Sequence, residues 1–205
     1  MRRVFHGVFL TAILLSLANH LNAQTVRLNL TPDMVVNEAG DGNPEAMVDE
    51  QDAVGDPPSG EPDSAWSINS RYWQNNQPLH AHLDLGRVRN LSSLWIYDTF
   101  NVGPLQISVG EPENWTVFKT VDTDRYKTWV EIPLEANTRY LRLTRVNGAS
   151  IFSEIVLYQY TPEGYQAMLA QKAADEKARV ERESALAKAR QEAAHRPLVD
   201  LGPPY

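Results

Sequence analysis

The chain has 205 residues, of which 42% are hydrophobic and 9% aromatic, with a formal net charge of −7 and no cysteine. Its length and apolar content predict one packed domain plus a remainder, and exclude a wholly disordered polypeptide. The absence of cysteine excludes disulfides, cysteine-ligated metal centres and thiol nucleophiles. The acidic balance argues against nucleic acid as a partner, because the phosphate backbone is bound by basic surfaces.

The first 23 residues have the layout of an export signal. Arg2 and Arg3 precede an apolar run, Val8–Ala18, and the segment closes on Ala23. The run is shorter than the roughly 20 residues that cross a bilayer, so a cleaved signal is predicted in preference to a membrane anchor. We therefore expect a secreted or periplasmic protein that starts near Gln24 and has no membrane span after cleavage. An exported chain without cysteine is typical of bacteria.

Residues 24–160 carry a β-type pattern. Apolar residues alternate with polar ones in short runs that Gly, Pro, Asn and Asp separate, which is typical of half-buried antiparallel strands. The runs are Val26/Leu28/Leu30, Leu83/Leu85, Leu94/Ile96, Leu105/Ile107/Val109, Val130/Ile132/Leu134, Leu141/Leu143 and 155–160. So many short strands predict an all-β sandwich or barrel. Trp66, Trp95 and Trp129 fall in strand-like runs and are predicted to be core residues.

The segment Asp33–Asp63 is unusually acidic. It holds ten carboxylates without one Lys or Arg. Such a density of like charge repels itself, so the segment either holds a compensating cation or forms a solvated surface loop. For the first alternative, a hard cation with oxygen ligands, above all Ca²⁺, fits best.

Residues 161–195 are predicted to form an Ala-rich helical spacer, followed by an unstructured tail, 196–205. Oppositely charged residues are spaced so that they support an isolated helix; the pairs are Asp175/Arg179, Lys172/Glu176, Lys177/Glu181 and Lys188/Glu192. Sparse apolar residues favour a solvated helix over a coiled coil. The alternatives are a protein partner or oligomer contact through this helix, or the front end of a secreted hydrolase whose catalytic domain is lost.

No catalytic signature stands out in the sequence. It contains no Gly-x-Ser-x-Gly elbow, no His-Glu-x-x-His motif and no phosphate-binding glycine loop. His80 and His82 share one face of a strand and could share a metal, but two polar residues on a solvent-facing strand give the same pattern. We therefore expect a protein that is not an enzyme.

Four motifs stand in a specific order between Gln24 and Tyr160. They are MVDEQD (47–52) leading to Ser64-Ala65-Trp66, HLDLG (82–86), LWIYD (94–98), and RYLRL (139–143) followed by SEIVLY (153–158). In this order they resemble the discoidin-like domains, the coagulation factor V/VIII type C group with a galactose-binding-like jelly roll. The resemblance implies an antiparallel, eight-stranded β-sandwich whose first and last segments meet, with ligand-binding loops at one end.

The resemblance also implies a structural Ca²⁺. By that likeness Glu154 in the last strand would meet Asp49 and Asp52 from the acidic loop, and Ser64 would supply oxygen atoms. A longer Gly/Pro insertion, 53–62, departs from the family pattern and leaves open which acids reach the ion. The alternative is an acidic loop without an ion.

The typical ligands of such domains are glycans and, in some members, lipid head groups or proteins. Sugar recognition needs an aromatic platform with polar groups for the hydroxyls. Residues of these types stand in three apparent loops, which contribute Arg71, Tyr72, Trp73 and Asn75, then Phe100 and Asn101, and finally Trp115. We therefore predict that these loops bind a glycan or cell-surface polysaccharide. The alternatives are aromatic residues that only cap the sandwich, and a structural or protein-interaction domain of the cell envelope.

Overall fold

The computed structural model describes residues 24–38, 42–67, 78–146 and 151–194, apart from the side chains of Phe100 and Asn101. Seven strands precede one long helix in these residues. They are β1 (Thr25–Arg27), β2 (Val35–Asn37), β3 (Leu79–Asn101), β4 (Gly103–Glu111), β5 (Asn114–Thr123), β6 (Thr128–Arg145), β7 (Ile151–Tyr160) and helix α1 (Pro162–Ala194), with 3₁₀ turns at Pro32–Met34 and Pro44–Met47. The chain divides into two compact units, and the boundary lies between Thr161 and Pro162.

The strands are paired antiparallel in the order β1-β7-β3-β6-β4-β5, and β2 pairs with β3 beside this path. Strand β3 takes part in both layers. Its first half pairs with the end of β6, and its second half lies between β6 and β7. The expected all-β antiparallel sandwich, followed by a helix, is confirmed.

Two of the long strands join segments that the sequence predicts as separate. The runs at Leu83/Leu85 and Leu94/Ile96 both lie in β3, and the pairing shifts register between Asp84 and Arg89. Gly86 lies at this shift with a φ of 73°, which glycine adopts without the usual steric penalty. A bulged strand can therefore bend from one layer into the other without ending. Eight strands are implied by the resemblance, and the described part of the chain has seven.

The core lies between the two layers. It includes the predicted inward residues Leu83, Leu94, Ile96, Leu141 and Leu143, all of which are buried. Because side chains alternate along a strand, Trp95, which lies between Leu94 and Ile96, faces away from the core.

The three tryptophans predicted as core differ in their burial. Trp66 is fully buried, as predicted. Trp95 and Trp129 are only half-buried, so their prediction as core residues is wrong. Loop backbone covers part of Trp129, whose indole Nε1 donates to the Gly60 carbonyl at 2.8 Å.

Helix α1 buries only Gly164. Its larger apolar residues Leu169, Val180 and Leu186 are 41–58% exposed, so the helix has no apolar seam of its own. Arg179 forms ion pairs with Glu176 and Glu183 at 2.7 Å in place of the predicted pair with Asp175, while Lys188 lies 3.9 Å from Glu192 as predicted. None of the helical residues in the described ranges forms a segment long and apolar enough to cross a membrane.

Candidate functional site

The strand register brings several chain connections to one end of the sandwich. Leu79 at the start of β3 pairs with Arg145 at the end of β6, and Asn101 at the end of β3 pairs with Ile151 at the start of β7. The Val146 backbone N–H donates to the Pro104 carbonyl at 3.2 Å, which brings the start of β4 to the same place. We call this region, where segment 68–77, the β3–β4 turn and segment 147–150 enter and leave the sheets, the loop end.

A buried cation and two aromatic rings form the floor of the loop end. Arg145 is fully buried, and its Nη1 donates to the Trp66 carbonyl at 2.7 Å. Its guanidinium carbon lies 5.5 Å from the centre of the Trp66 ring, which in turn packs edge-on against Phe152 at 5.9 Å. Burial lowers the pKa of Arg145 to about 10, so the group still carries its charge at neutral pH. The floor thus combines a buried guanidinium with two aromatic rings.

The predicted ligand-binding residues are placed to different extents. Arg71, Tyr72, Trp73 and Asn75 lie outside the described residues, but the flanking residues of their segment are anchored at the loop end. The backbone of Phe100 and Asn101 lies there as well. These two residues end strand β3, where Asn101 pairs with Ile151 of β7. Phe100 and Asn101 are therefore in a strand and not in the loop that the sequence predicts, and they lie at the same end of the sandwich as the flanks of segment 68–77.

Trp115 lies elsewhere. It belongs to β5 and pairs with Gly110, so it is in a strand and not in the loop that the sequence predicts. Gly110 is seven residues along β4 from Gly103, a distance of about 23 Å in extended chain. Trp115 is half-buried against His82, at 5.3 Å between ring centres, and under the Arg142 guanidinium at 5.5 Å. These contacts hold Trp115 on the outer face of the sheet, away from the loop end.

The neighbours of Trp115 form a closed polar cluster that the sequence analysis missed. Glu38 accepts from Arg142 at 2.8 Å and bonds the Nδ1 atom of His82 at 2.7 Å, and Tyr140 covers the other side of the His82 ring. His80, two residues along the same strand, bonds Thr144 through Nδ1 at 2.9 Å. The alternation of residues along β3 and β6 could have predicted this cluster, since it places these side chains on one face of the sheet. The hydrogen bonds favour the polar-face interpretation of the two histidines over a shared metal.

The acidic loop folds back onto the last strand of the sandwich. Glu50 is at its centre, where its carboxylate accepts bonds from the Asp63 and Ser64 backbone N–H groups at 2.9 and 2.6 Å. The Ser64 hydroxyl bonds both Asp49, at 2.7 Å, and Glu50, at 2.7 Å. Partial burial raises the pKa of Glu50, but these hydrogen bonds outweigh it and hold the pKa below its usual value. The carboxylates of Asp49 and Glu50 thus join the start of the loop to its end at Asp63 and Ser64.

Glu154 on β7 is fully buried under this loop. The Gln51 amide donates to its Oε1 atom and also to the Ile155 carbonyl at 2.7 Å, and the Glu50 N–H lies 3.4 Å from Oε2. Arg27 fixes the orientation of Gln51 by donating to its backbone and side-chain oxygens at 2.6 and 3.1 Å. Burial raises the pKa of Glu154 to about 8; the hydrogen bonds oppose the shift, and the nearby Asp49 and Glu50 carboxylates add to it.

The predicted calcium ligands are therefore only partly assembled. Ser64 contacts Asp49, and the Asp49 charge acts on Glu154. Asp52 is exposed and lies beside Arg27 in a shallow depression, with no hydrogen bond or ion pair to the other three among the described residues. In those same residues no three His, Cys, Asp or Glu side chains are spaced to hold a metal ion. The donor atoms suit Ca²⁺ in kind, since it prefers carboxylate and hydroxyl oxygens.

Comparison with known proteins gives matches among solved structures. No family model matches the chain, and no curated protein matches it. The family 32 carbohydrate-binding module of NanJ from C. perfringens, in complex with galactose, is similar with a TM-score of 0.49 and 11% identity; the match covers 65% of this chain and 98% of the module. The C-terminal domain of a chitobiase from Bacteroides fragilis has a TM-score of 0.48 and 12% identity, over 66% of this chain and 99% of that domain.

A third solved structure is the family 32 module of AlyQ in complex with 4,5-unsaturated mannuronic acid. Its TM-score is 0.46 and its identity 17%, over 64% of this chain and 97% of the module. At this identity the similarity concerns the fold alone.

Proposed function

We propose that this protein is an exported, non-catalytic recognition module that binds carbohydrate through the loop end of its β-sandwich. What supports the proposal is the strand register, which brings the flanks of segment 68–77 and the end of β3, with Phe100 and Asn101, to the loop end. Aromatic rings in such a cluster offer a platform for the apolar face of a sugar, while amide and guanidinium groups bind its hydroxyls. Trp115 is not included in this site, because it lies at the other end of β4.

The floor of the loop end supports the same proposal. Arg145, Trp66 and Phe152 are fully buried and pack against one another at the loop end. Binding groups keep their geometry best when the elements below them are rigid. A glycan site built on this floor would bind without large ordering of the sandwich.

Binding to a panel of polysaccharides by affinity electrophoresis, followed by a glycan array, tests the proposal. We expect Tyr72→Ala and Trp73→Ala each to weaken retention about tenfold or more, as is usual for aromatic residues central to a binding site. Phe118→Ala is the matched control, since Phe118 is an exposed aromatic residue on β5. Retention that survives both loop substitutions would place the binding surface elsewhere.

We also propose that the acidic loop holds a structural Ca²⁺, with Asp49 and Glu154 as carboxylate ligands and Ser64 as a hydroxyl ligand. The ion would cross-link the loop to β7 and take no part in chemistry. What supports it is the buried Glu154 carboxyl, whose pKa is raised in part by two neighbouring carboxylates. An ion bound only by the folded state stabilises by mass action, so chelation is expected to lower the melting temperature and calcium to restore it. An unchanged melting temperature in both treatments contradicts the calcium proposal and leaves the glycan proposal intact.

Export is the remaining part of the proposed function. We propose that Met1–Ala23 is removed, which leaves Gln24 as the first residue of the mature protein. The mass of the protein recovered outside the cytoplasm tests this, because cleavage at another position changes it by whole residues. An intact leader on the recovered protein would contradict the proposal.

A further inference from the structure

A groove of about 880 Å³ runs along the outer face of the layer formed by β1, β7, β3 and β6. It lies apart from the loop end, because its lining includes Thr25, at the start of β1, and Tyr160, at the end of β7. Strand β7 begins at the loop end with Ile151 and ends beside this groove. The four strands span about 14 Å at the usual spacing between neighbours. The groove is therefore a separate surface that is wide enough for an extended ligand.

Aromatic rings line the groove across neighbouring strands. Trp95 on β3 has Glu131 of β6 on one side and Val156 of β7 on the other. Tyr158 and Tyr160 follow on β7, and all three aromatic residues are partly exposed. Trp95 and Tyr158 are diagonal neighbours on paired strands, about 7–8 Å apart, and Tyr160 follows two residues further along β7, so the three side chains form a strip along this face. Such a strip offers several successive platforms for the faces of flat, ring-shaped units.

The charged groups of the groove leave it negative. Its one Arg, Arg27, donates to the Gly55 and Gln51 carbonyls at 2.6 Å each and is therefore occupied by the acidic loop. Asp56 accepts a hydrogen bond from the Tyr158 hydroxyl, and burial together with this carboxylate raises the pKa of Tyr158, which stays neutral. Glu131 is exposed and makes no hydrogen bond or ion pair with the residues that the structure describes. A ligand that carries positive charge is therefore attracted to this surface.

A buried hydroxyl without a partner also lies in the groove. Ser92 is 8% exposed, and its Oγ atom makes no hydrogen bond to any of the described residues. It lines the groove beside Ser93, where β3 shifts register against both neighbouring strands. A bulge of this kind re-aims a side chain, and an unpaired buried hydroxyl is costly unless a ligand or water completes it. Ser92 thus leaves one unpaired hydroxyl in the lining of the groove.

We propose that this groove is a second glycan-binding surface, and that it takes an oligosaccharide whose sugars carry free amino groups. The sugar rings would lie on Trp95, Tyr158 and Tyr160, with Ser92 bonded to a hydroxyl or amine. The protonated amino groups would face Glu131 and the aromatic rings, both of which attract cations. This surface is independent of the loop end and goes beyond the function proposed for it.

Titration calorimetry with a glucosamine hexamer, at low salt and a pH where its amines are protonated, tests the proposal. The N-acetylglucosamine hexamer is the matched ligand, since it has the same backbone without the charge. We expect Glu131→Gln to weaken binding of the charged hexamer about threefold, as for an exposed ion pair, and Glu131→Lys to weaken it further. Trp95→Ala is expected to cost about tenfold, as for a central aromatic contact. Glu181→Gln, an exposed site on α1, is the control and should bind as the wild type does.

Three outcomes would overturn the proposal. Equal affinity for the two hexamers would remove the role of the amino group. Displacement of the hexamer by tetralysine at equal concentration would mean that the groove attracts charge alone. Binding that survives Glu131→Lys but is lost in Trp73→Ala would place the hexamer at the loop end, which would sustain the proposed function while removing this second surface. Because Glu131 is exposed, its substitutions test the groove even if Trp95→Ala impairs folding.

Discussion

Full burial of Glu154 makes the stability of the sandwich depend on pH in the absence of calcium. Burial raises the pKa of its carboxyl group to about 8 in the folded protein, above its usual value of 4.5. The folded state therefore keeps the proton that the unfolded state loses, and this contribution to stability is complete below about pH 4.5 and is lost as the pH rises towards 8. In the presence of a chelator, we therefore expect the melting temperature to decrease as the pH is raised from about 4.5 to 8.

Glu154→Gln isolates this effect, because glutamine has the shape of the protonated side chain. The variant is expected to melt several degrees above the wild type at pH 8 in a chelator and to match it near pH 5. Thermal melts across this range measure the difference, and Glu111→Gln, an exposed site at the end of β4, serves as the control. A variant that loses stability equally at both pH values would show that the charge of Glu154 is needed in the folded state.

Gly110 and Gly86 both have positive φ angles, but they differ in the space around them. A Cβ atom at Gly110 would lie 2.4 Å from the Asn114 carbonyl oxygen, whereas one at Gly86 would meet nothing within 4 Å. We expect Gly86→Ala to cost about 1–2 kcal/mol from its backbone angle. Gly110→Ala should cost about 3 kcal/mol or more, because a clash with backbone adds to the angle. Urea denaturation measures both, and equal losses would contradict the prediction.

Residue patterns predict some of these details and miss others. The family resemblance implies that Glu154 lies beside the acidic loop, and in the structure the Glu50 N–H lies 3.4 Å from its Oε2 atom. Alternation alone places Trp95 on the other face of β3 from Leu94 and Ile96. It cannot tell how far other parts of the chain cover that face, because this depends on where the acidic loop packs. The bond from Gln51 to Glu154 joins residues 103 positions apart, so no local pattern predicts it.

At the scale of elements, β3 explains why strand counts from sequence fail. Turn residues near Gly86 and Asn90 mark a break in alternation, and such a break usually ends a strand. Here the chain continues in extended form, because β6 pairs with it on both sides of the register shift. The partner strand, which the local sequence does not contain, decides whether a break is a turn or a bulge. The existence of the strands is thus predictable, while their continuity is not.

Helix α1 is expected to contribute nothing to association of the protein. Its exposed apolar residues are too sparse to form a seam, and its ion pairs lie within the helix. We predict that the full chain and a chain that ends at Thr161 both sediment as monomers. An oligomer that disappears on truncation would instead support the interpretation of this helix as a partner contact.

At the scale of the whole molecule, the two compact units are expected to unfold separately. All five tryptophans precede Thr161, so their fluorescence reports on the sandwich alone. Helix α1 is expected to dominate circular dichroism at 222 nm, because the other elements in the described ranges are strands and two short 3₁₀ turns. We predict that the two signals give different denaturation midpoints, since a chain with one cooperative transition gives the same midpoint with every probe. Coincident midpoints would show that the helix and sandwich are coupled.

The first and the last strand place both ends of the domain on the side of the sandwich that is far from the loop end. Thr25 pairs with Tyr160, and the Thr161 N–H donates to the Gln24 carbonyl at 2.9 Å, so the two ends of the domain are neighbours. They lie at the far end of β7 from Ile151 and the loop end. A host protein could carry this module by either terminus, or receive it as an insertion, and still present the same face outward. Insertion of the domain into another chain would therefore leave the loop end uncovered.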